Sequence, residues 1–199
     1  MSGVTIWGAA VAIYVVFYLW YHGLPGRVSQ AEIDAFSARI DARDLTPEER
    51  ERFEGVRRFF EEDNGRDFVM VNLLTFNEPR GESRRSLNTY QRAFLGALLR
   101  SGGHPLAVAW RTGGNVENWG IDNAGDWHMA AMIRYRSRRA MLKALSGDAF
   151  QENHHNKANA LLKTFAFPAS PYVVIGGGPK LFVPVLLVAI AALTHLNFV

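Results

Sequence analysis

The sequence predicts an α+β domain of βαββαβ order held between two membrane-spanning helices. Residues 4–21 (VTIWGAAVAIYVVFYLWY) and 181–199 (LFVPVLLVAIAALTHLNFV) carry no charged side chain. Every Lys, Arg, Asp and Glu lies from Arg27 to Lys180. Between the two apolar runs, segments of strand and helix periodicity follow one another in the order β, α, β, β, α, β.

Each apolar run has the ~20 residues that a helix needs to cross a bilayer core of roughly 30 Å. The first run exceeds a signal-peptide core, and its leading MSG lacks the basic residues of a signal n-region. Pro184 is expected in the first turn of the second helix, where proline is tolerated. The inner flanks hold Arg27 and Lys180, whereas the outer ends, MSG and LNFV, hold no basic residue. This asymmetry predicts a bacterial inner-membrane protein with a cytoplasmic domain and both termini outside. Trp7, Tyr18, Trp20, Tyr21 and Lys180 are expected at the membrane interfaces. The absence of cysteine excludes disulfides and thiolate chemistry.

The expected segments are helices at 3–22 and 181–199, a helical linker at 23–65, the domain at 66–175 and a hinge at 176–180. In the linker, Ser29 caps a helix with Ile33, Phe36 and Ile40 on one face. Thr46, Pro47 and Glu49 form a second start signal, followed by the stripe Phe53, Val56, Phe59 and Phe60. The stretch DFVMVNLLTFNE (67–78) is a strand interrupted by one carboxamide, Asn72. A charged loop (77–85) leads to a helix over 86–103 with Tyr90, Phe94 and Leu98 on one face. HPLAVAWRT is the second strand, GGNVENWGIDNAG (113–125) a long loop, and DWHMAAMIRYR the third strand. Ser137 caps the next helix. TFAFPASPYVVI is the last strand, interrupted by Pro168 and Pro171. This order is the split βαβ, or ferredoxin-like, pattern.

These residues resemble the dimeric α/β-barrel proteins related to antibiotic-biosynthesis monooxygenases, in an uncharacterised bacterial branch. The resemblance covers roughly residues 66–168. It is carried by Asn72-Leu73-Leu74-x-Phe76, by Tyr90 with Gly102 and Gly103, and by Trp127. Tyr135-x-Ser137-Arg138 and His155-x-Lys157-Ala158 complete it. Arg136, His128 and Lys157 depart from the residues common in that branch, and the membrane helices are additions to it. The resemblance implies a homodimer closed through the barrel domain. It also implies a chamber in which some relatives use Asn, Trp and His to hold haem or an aromatic substrate.

Alternation places Phe68, Met70, Asn72, Leu74 and Phe76 on one face of the first strand. This larger, more adaptable set is expected on the open face and the β-branched set, Val69, Val71 and Thr75, under the helices. Asn72, Trp127, His128, Arg134, Tyr135 and His155 are the pocket candidates. The bland alternative for Asn72 is a side chain bonded to neighbouring backbone. Arg134, Arg136, Arg138 and Arg139 in RYRSRR are either solvated or in contact with lipid or a partner. Trp119 in the long loop either contacts a partner or lipid or folds back onto its own domain. His154 and His155 lack partners at metal-ligand spacing, so no metal is expected. No cofactor is predicted, no catalytic set is complete, and the basic residues lack the aromatic interleaving of a nucleic-acid surface. Two functions stand. One is an accessory or structural subunit of a larger integral-membrane complex, with lipid and other membrane proteins as partners. The other is a monooxygenase-like enzyme, or a binder of a small apolar or aromatic molecule, using the barrel pocket.

Overall fold

The computed structural model describes residues 2–23, 26–42, 44–120, 125–146, 156–157, 159–171 and 178–198. The chain divides into two units, Pro25–Ser170 and a second formed by Met1–Leu24 with Pro171–Val199.

The larger unit is built on a four-stranded antiparallel sheet of β1 (Phe68–Phe76), β2 (His104–Trp110), β3 (Met129–Tyr135) and β4 (Leu161–Ala169). Its strand order is β2-β3-β1-β4. With α4 (Arg80–Arg100) after β1 and α5 (Arg138–Leu145) after β3, this is the ferredoxin-like arrangement. Pro168 lies in β4, an edge strand, where a missing N–H costs no ladder bond on the free side.

α4 starts at Arg80, six residues before the expected Ser86. Pro79 stands at its N-cap, and the charged run 80–85 fills the exposed first turns. Its other end is a Schellman motif. The Gly103 N–H reaches the Leu98 carbonyl and the Gly102 N–H the Leu99 carbonyl, each at 3.0 Å. Gly102 supplies the positive φ of 76° that this turn requires.

The core lies between the sheet and α4. Leu74, Phe76, Met129 and Ala131 meet Leu87 and Tyr90. Phe68 and Tyr135 meet Leu98, with Met70, Ile133 and Phe94 around them.

Residues 30–61 form α2 (Gln30–Asp41) and α3 (Pro47–Glu61), both opened by capping boxes. They are part of the folded unit rather than a linker, because Ile33, Phe36, Ile40 and Phe60 bury against Leu142 of α5. Glu32 secures this dock. Its Oε2 accepts from the Ser29 N–H at 2.9 Å, and its Oε1 accepts from Arg139 Nε at 2.8 Å.

The second unit pairs α1 (Gly3–His22) with α6 (Gly178–Phe198). They run antiparallel: Gly3 faces the His195 ring, and the Lys180 amine lies 6.0 Å from the Tyr21 ring centre. A Cβ at Gly3 would stand 2.7 Å from His195 Cε1, so a larger residue there would have to displace the His195 ring. Both helices are long and apolar enough to cross a membrane, and nearly all their surface is uncovered. α6 begins at Gly178, so residues 178–180 are helical rather than hinge, and Pro184 falls in the second turn. Residues 176–177 of the expected hinge lie outside the described residues.

The Arg139 hydrogen bond is the main cause that holds the Glu32 carboxyl down, at about 2 against an ordinary 4.5. A carboxyl lowered on folding contributes stability above its unfolded value, and the contribution fades as pH falls through its folded value. Acid unfolding should therefore weaken the α2–α5 dock between pH 4.5 and 2. Glu32→Gln should flatten the pH dependence of the melting temperature in that window, as followed by circular dichroism.

Candidate functional site

Asn72 stands in the middle of β1, opposite Ala131. Its face is the one α4 covers, since its even-numbered neighbours Phe68, Leu74 and Phe76 lie in the helix-side core. This reverses the expected assignment. The reason is volume: a 21-residue helix bearing Leu87, Tyr90, Phe94 and Leu98 needs large side chains beneath it, and the Phe-rich set supplies them. The Asn72 Nδ2 donates to the Met70 carbonyl at 3.0 Å and to the Ala131 carbonyl at 3.3 Å. The carboxamide is tied to strand backbone, which satisfies its donor in a half-buried setting.

The other pocket candidates do not gather around it. Tyr135 shares the helix face but sits at the far end of β3, stacked on Phe68 at 5.1 Å. Burial raises its hydroxyl pKa, and the nearby Tyr90 adds to the shift. His128 precedes β3 at the opposite end, about 20 Å away along the strand. There the β1–β4 register shifts between Thr75 and Phe76. His128 Nδ1 accepts from the Phe76 N–H at 3.1 Å, and the two rings stack. That bond places the ring proton on Nε2. Trp127 is half-buried, with the Lys163 amine 4.8 Å from its ring centre. His155 lies outside the described residues, as does His154.

Three arginines of the run make contacts within the larger unit. Arg134 is buried and grips Asp67 from Nε at 3.1 Å and Nη2 at 2.9 Å, while Nη1 donates to the Gly102 carbonyl at 2.9 Å. Arg138 lies over the Phe59 ring at 4.3 Å and donates to the Phe59 carbonyl. Arg139 holds Glu32. These three each join two elements of one unit. Arg136 is half-buried. Trp119, by contrast, is 81% exposed in the β2–β3 loop. Of the interface aromatics, Trp7, Tyr18 and Trp20 are exposed on α1, but Tyr21 is buried, stacked on Phe17 and beneath Lys180.

The feature the sequence reading missed is the other sheet face. The register sets Ala109, Ala130, Leu73 and Phe165 in one row across all four strands. Ala107, Met132, Val71 and Phe167 form the next row. All eight are apolar, yet Met132, Phe165 and Phe167 are 44%, 53% and 42% exposed. Lys163 and Thr75 bound the patch at one end, and Arg134 and His104 at the other. The available signal was β1 itself, which reads apolar on both faces apart from Asn72 and Thr75.

No protein-family model and no curated protein matches the chain. Among solved structures, the methylated RPA0582 protein of Rhodopseudomonas palustris is 18% identical and superposes with a TM-score of 0.50. That match covers 65% of this chain and 94% of the other. A dimeric protein of unknown function and ferredoxin-like fold from Bacteroides fragilis is 11% identical, with a TM-score of 0.37 over 53% of this chain and 96% of its own. A protein from Bacteroides thetaiotaomicron, assigned as an antibiotic biosynthesis monooxygenase, is 11% identical with a TM-score of 0.39, over 55% and 93%. At such identities a likeness speaks to the fold alone.

Asn72→Ala should lower the unfolding free energy by about 1–3 kcal/mol, because it leaves a cavity and removes two bonds to backbone. The oligomeric state, measured by light scattering in detergent, should stay unchanged.

Proposed function

We propose that this protein is a membrane-anchored accessory subunit of a larger integral-membrane assembly, and that its folded unit pairs with a second copy through the open sheet face. The observation that carries the reading is the eight-residue apolar grid spanning all four strands. An antiparallel sheet with one face in water alternates apolar and polar residues. A sheet that is apolar on both faces is suited to cover on both, and α4 covers only one. Contiguous exposed apolar surface of this kind marks an interaction site.

The two apolar helices support anchoring, with lipid and neighbouring membrane helices as their surroundings. Arg27 and Lys180 on the inner flanks favour a cytoplasmic position for the folded unit in a bacterial inner membrane. The positions of Asn72, His128 and Arg134 favour structural duties over a shared catalytic pocket, which places the enzyme reading second.

Two measurements test this. After gentle detergent extraction, native mass spectrometry should find a homodimer in stoichiometric company with larger membrane proteins. Met132→Glu and Val71→Lys should each convert the pair to single copies while the unit stays folded by circular dichroism. A wild-type chain recovered only as a free single copy would sink the reading. Orientation is testable because the chain has no cysteine of its own. A cysteine introduced by Val116→Cys should react with an impermeant maleimide only in opened cells, and one introduced by Ser2→Cys in intact cells.

A further inference from the structure

Both connections from the larger unit to the apolar helices leave it at one end of the sheet. β4 ends at Ala169, and the register sets Ala169, Val69, Arg134 and His104 in one row across that end. The other connection enters at Val28, whose N–H donates to Asp63 Oδ2 at 2.8 Å, shortly before β1. α4 runs towards the same end. Its last residue, Arg100, is followed by the turn that receives Arg134, and Leu98 buries there against Phe68 and Tyr135. Leu95 and Leu99 face outward instead, 39% and 44% exposed, and Arg92 and Arg100 are exposed beside them.

We propose that the C-terminal half of α4 lies on the surface of an anionic bilayer, with Leu95 and Leu99 at the boundary of headgroups and acyl chains and Arg92 and Arg100 on lipid phosphates. A single exposed leucine calls for no partner. Here two stand with Arg92 at three- and four-residue spacing, so the three share one helical face. The charge is of one sign, since no acidic residue lies between Glu82 and Glu117. A helical face of apolar and basic residues binds in the plane of an interface, through its apolar area and the attraction of its cations to anionic headgroups.

Position selects lipid over other occupants. The face lies at the end of the unit from which the chain leaves for the two apolar helices. Their covalent link makes the encounter intramolecular, so a small patch is enough. α4 also covers the side of the sheet opposite the open face, so pairing through that face leaves Leu95 and Leu99 uncovered. The proposal rests on the membrane anchoring inferred above and is independent of the homodimer.

The chain has no cysteine, so Leu99→Cys, Val116→Cys and Val11→Cys can each carry a single bimane label. Val116 lies in the β2–β3 loop, at the opposite end of the sheet, and Val11 lies in the middle of α1. Full-length protein is reconstituted into vesicles of phosphatidylcholine alone, or of phosphatidylcholine and phosphatidylglycerol in equal parts. Spin-labelled lipids quench the Leu99 and Val116 labels from the headgroup level and the Val11 label from the acyl chains. With phosphatidylglycerol, the Leu99 label should be quenched severalfold more than the Val116 label. Arg92→Gln should then lower the docked-to-undocked ratio about fivefold, the effect of one cation near such a surface. In phosphatidylcholine alone, the difference between Leu99 and Val116 should fall away. A Leu99 label quenched no more than Val116 in the anionic vesicles, with Val11 quenched, would overturn the proposal. Equal quenching of Leu99 in both kinds of vesicle would also overturn it, because the contact would then owe nothing to anionic lipid. An unquenched Val11 label would overturn the anchoring, and this proposal with it.

Discussion

The larger unit turns on one buried guanidinium. Arg134 sits at the end of β3, and its guanidinium donates to Asp67, just before β1, and to the Gly102 carbonyl, in the turn from α4 to β2. Four elements are registered by one side chain. The turn is built to receive it: a Cβ on Gly103 would stand 2.8 Å from the Arg134 carbonyl and would collide with Leu98. Leu98 is fully buried and seals the core at this corner. A buried charge is costly unless it is paired and its donors are met. Here the Asp67 carboxylate and a backbone carbonyl meet that demand, so the pair sets position as much as it adds stability. The close packing of two glycines, a leucine and an arginine explains why the Gly102-Gly103 pair follows α4.

From that corner an aromatic chain carries the fold outward. Tyr135 stacks on Phe68, Phe68 meets Phe59 edge-on, Phe59 touches Phe60, and Phe60 meets Phe36. β3, β1, α3 and α2 are joined ring to ring. Aromatic pairs add about 0.5–1.5 kcal/mol each beyond their buried area, and they fix orientation through their edges and faces. Arg138 closes the same seam from α5 by lying on Phe59. The helices at 30–61 are thus fastened to the sheet by the residues that also form its core.

This pattern shows what could be read from the chain and what could not. The cap signals at Ser29 and Thr46 and the two apolar runs are local, and each produced a helix, while the strand periodicities produced a four-stranded sheet. The face of β1 was not local. Both of its faces are largely apolar, so alternation alone could not say which one α4 covers. Volume decided it, through Phe68, Leu74 and Phe76. The run RYRSRR misled for a related reason. A cluster of arginines is normally a solvated surface, but here sequence neighbours diverge in space: Arg134 turns to Asp67, Arg138 to Phe59 and Arg139 to Glu32. Their partners lie 67, 79 and 107 residues away, beyond any pattern that spacing can reveal.

Taking these arginines inward alters the character of the surface that remains. With Arg134, Arg138 and Arg139 spent on internal contacts, the open sheet face carries no charge within its two central rows. β-branched and aromatic residues suit a sheet surface because they pack against cross-strand neighbours. Val71 opposite Phe167 and Leu73 opposite Phe165 do so here, which leaves their outer surfaces smooth and apolar. A lone sheet would guard such a face with charged residues, as exposed strands commonly do. This one carries an exposed-side charge at one end, Lys163, while Arg134 at the other end is buried against Asp67. An apolar centre with a lysine at its edge suits the anatomy of a protein interface, with a dry core and a polar rim. The two units of the chain then follow one rule, each leaving an apolar surface uncovered by its own residues, the helices by length and composition and the sheet by register.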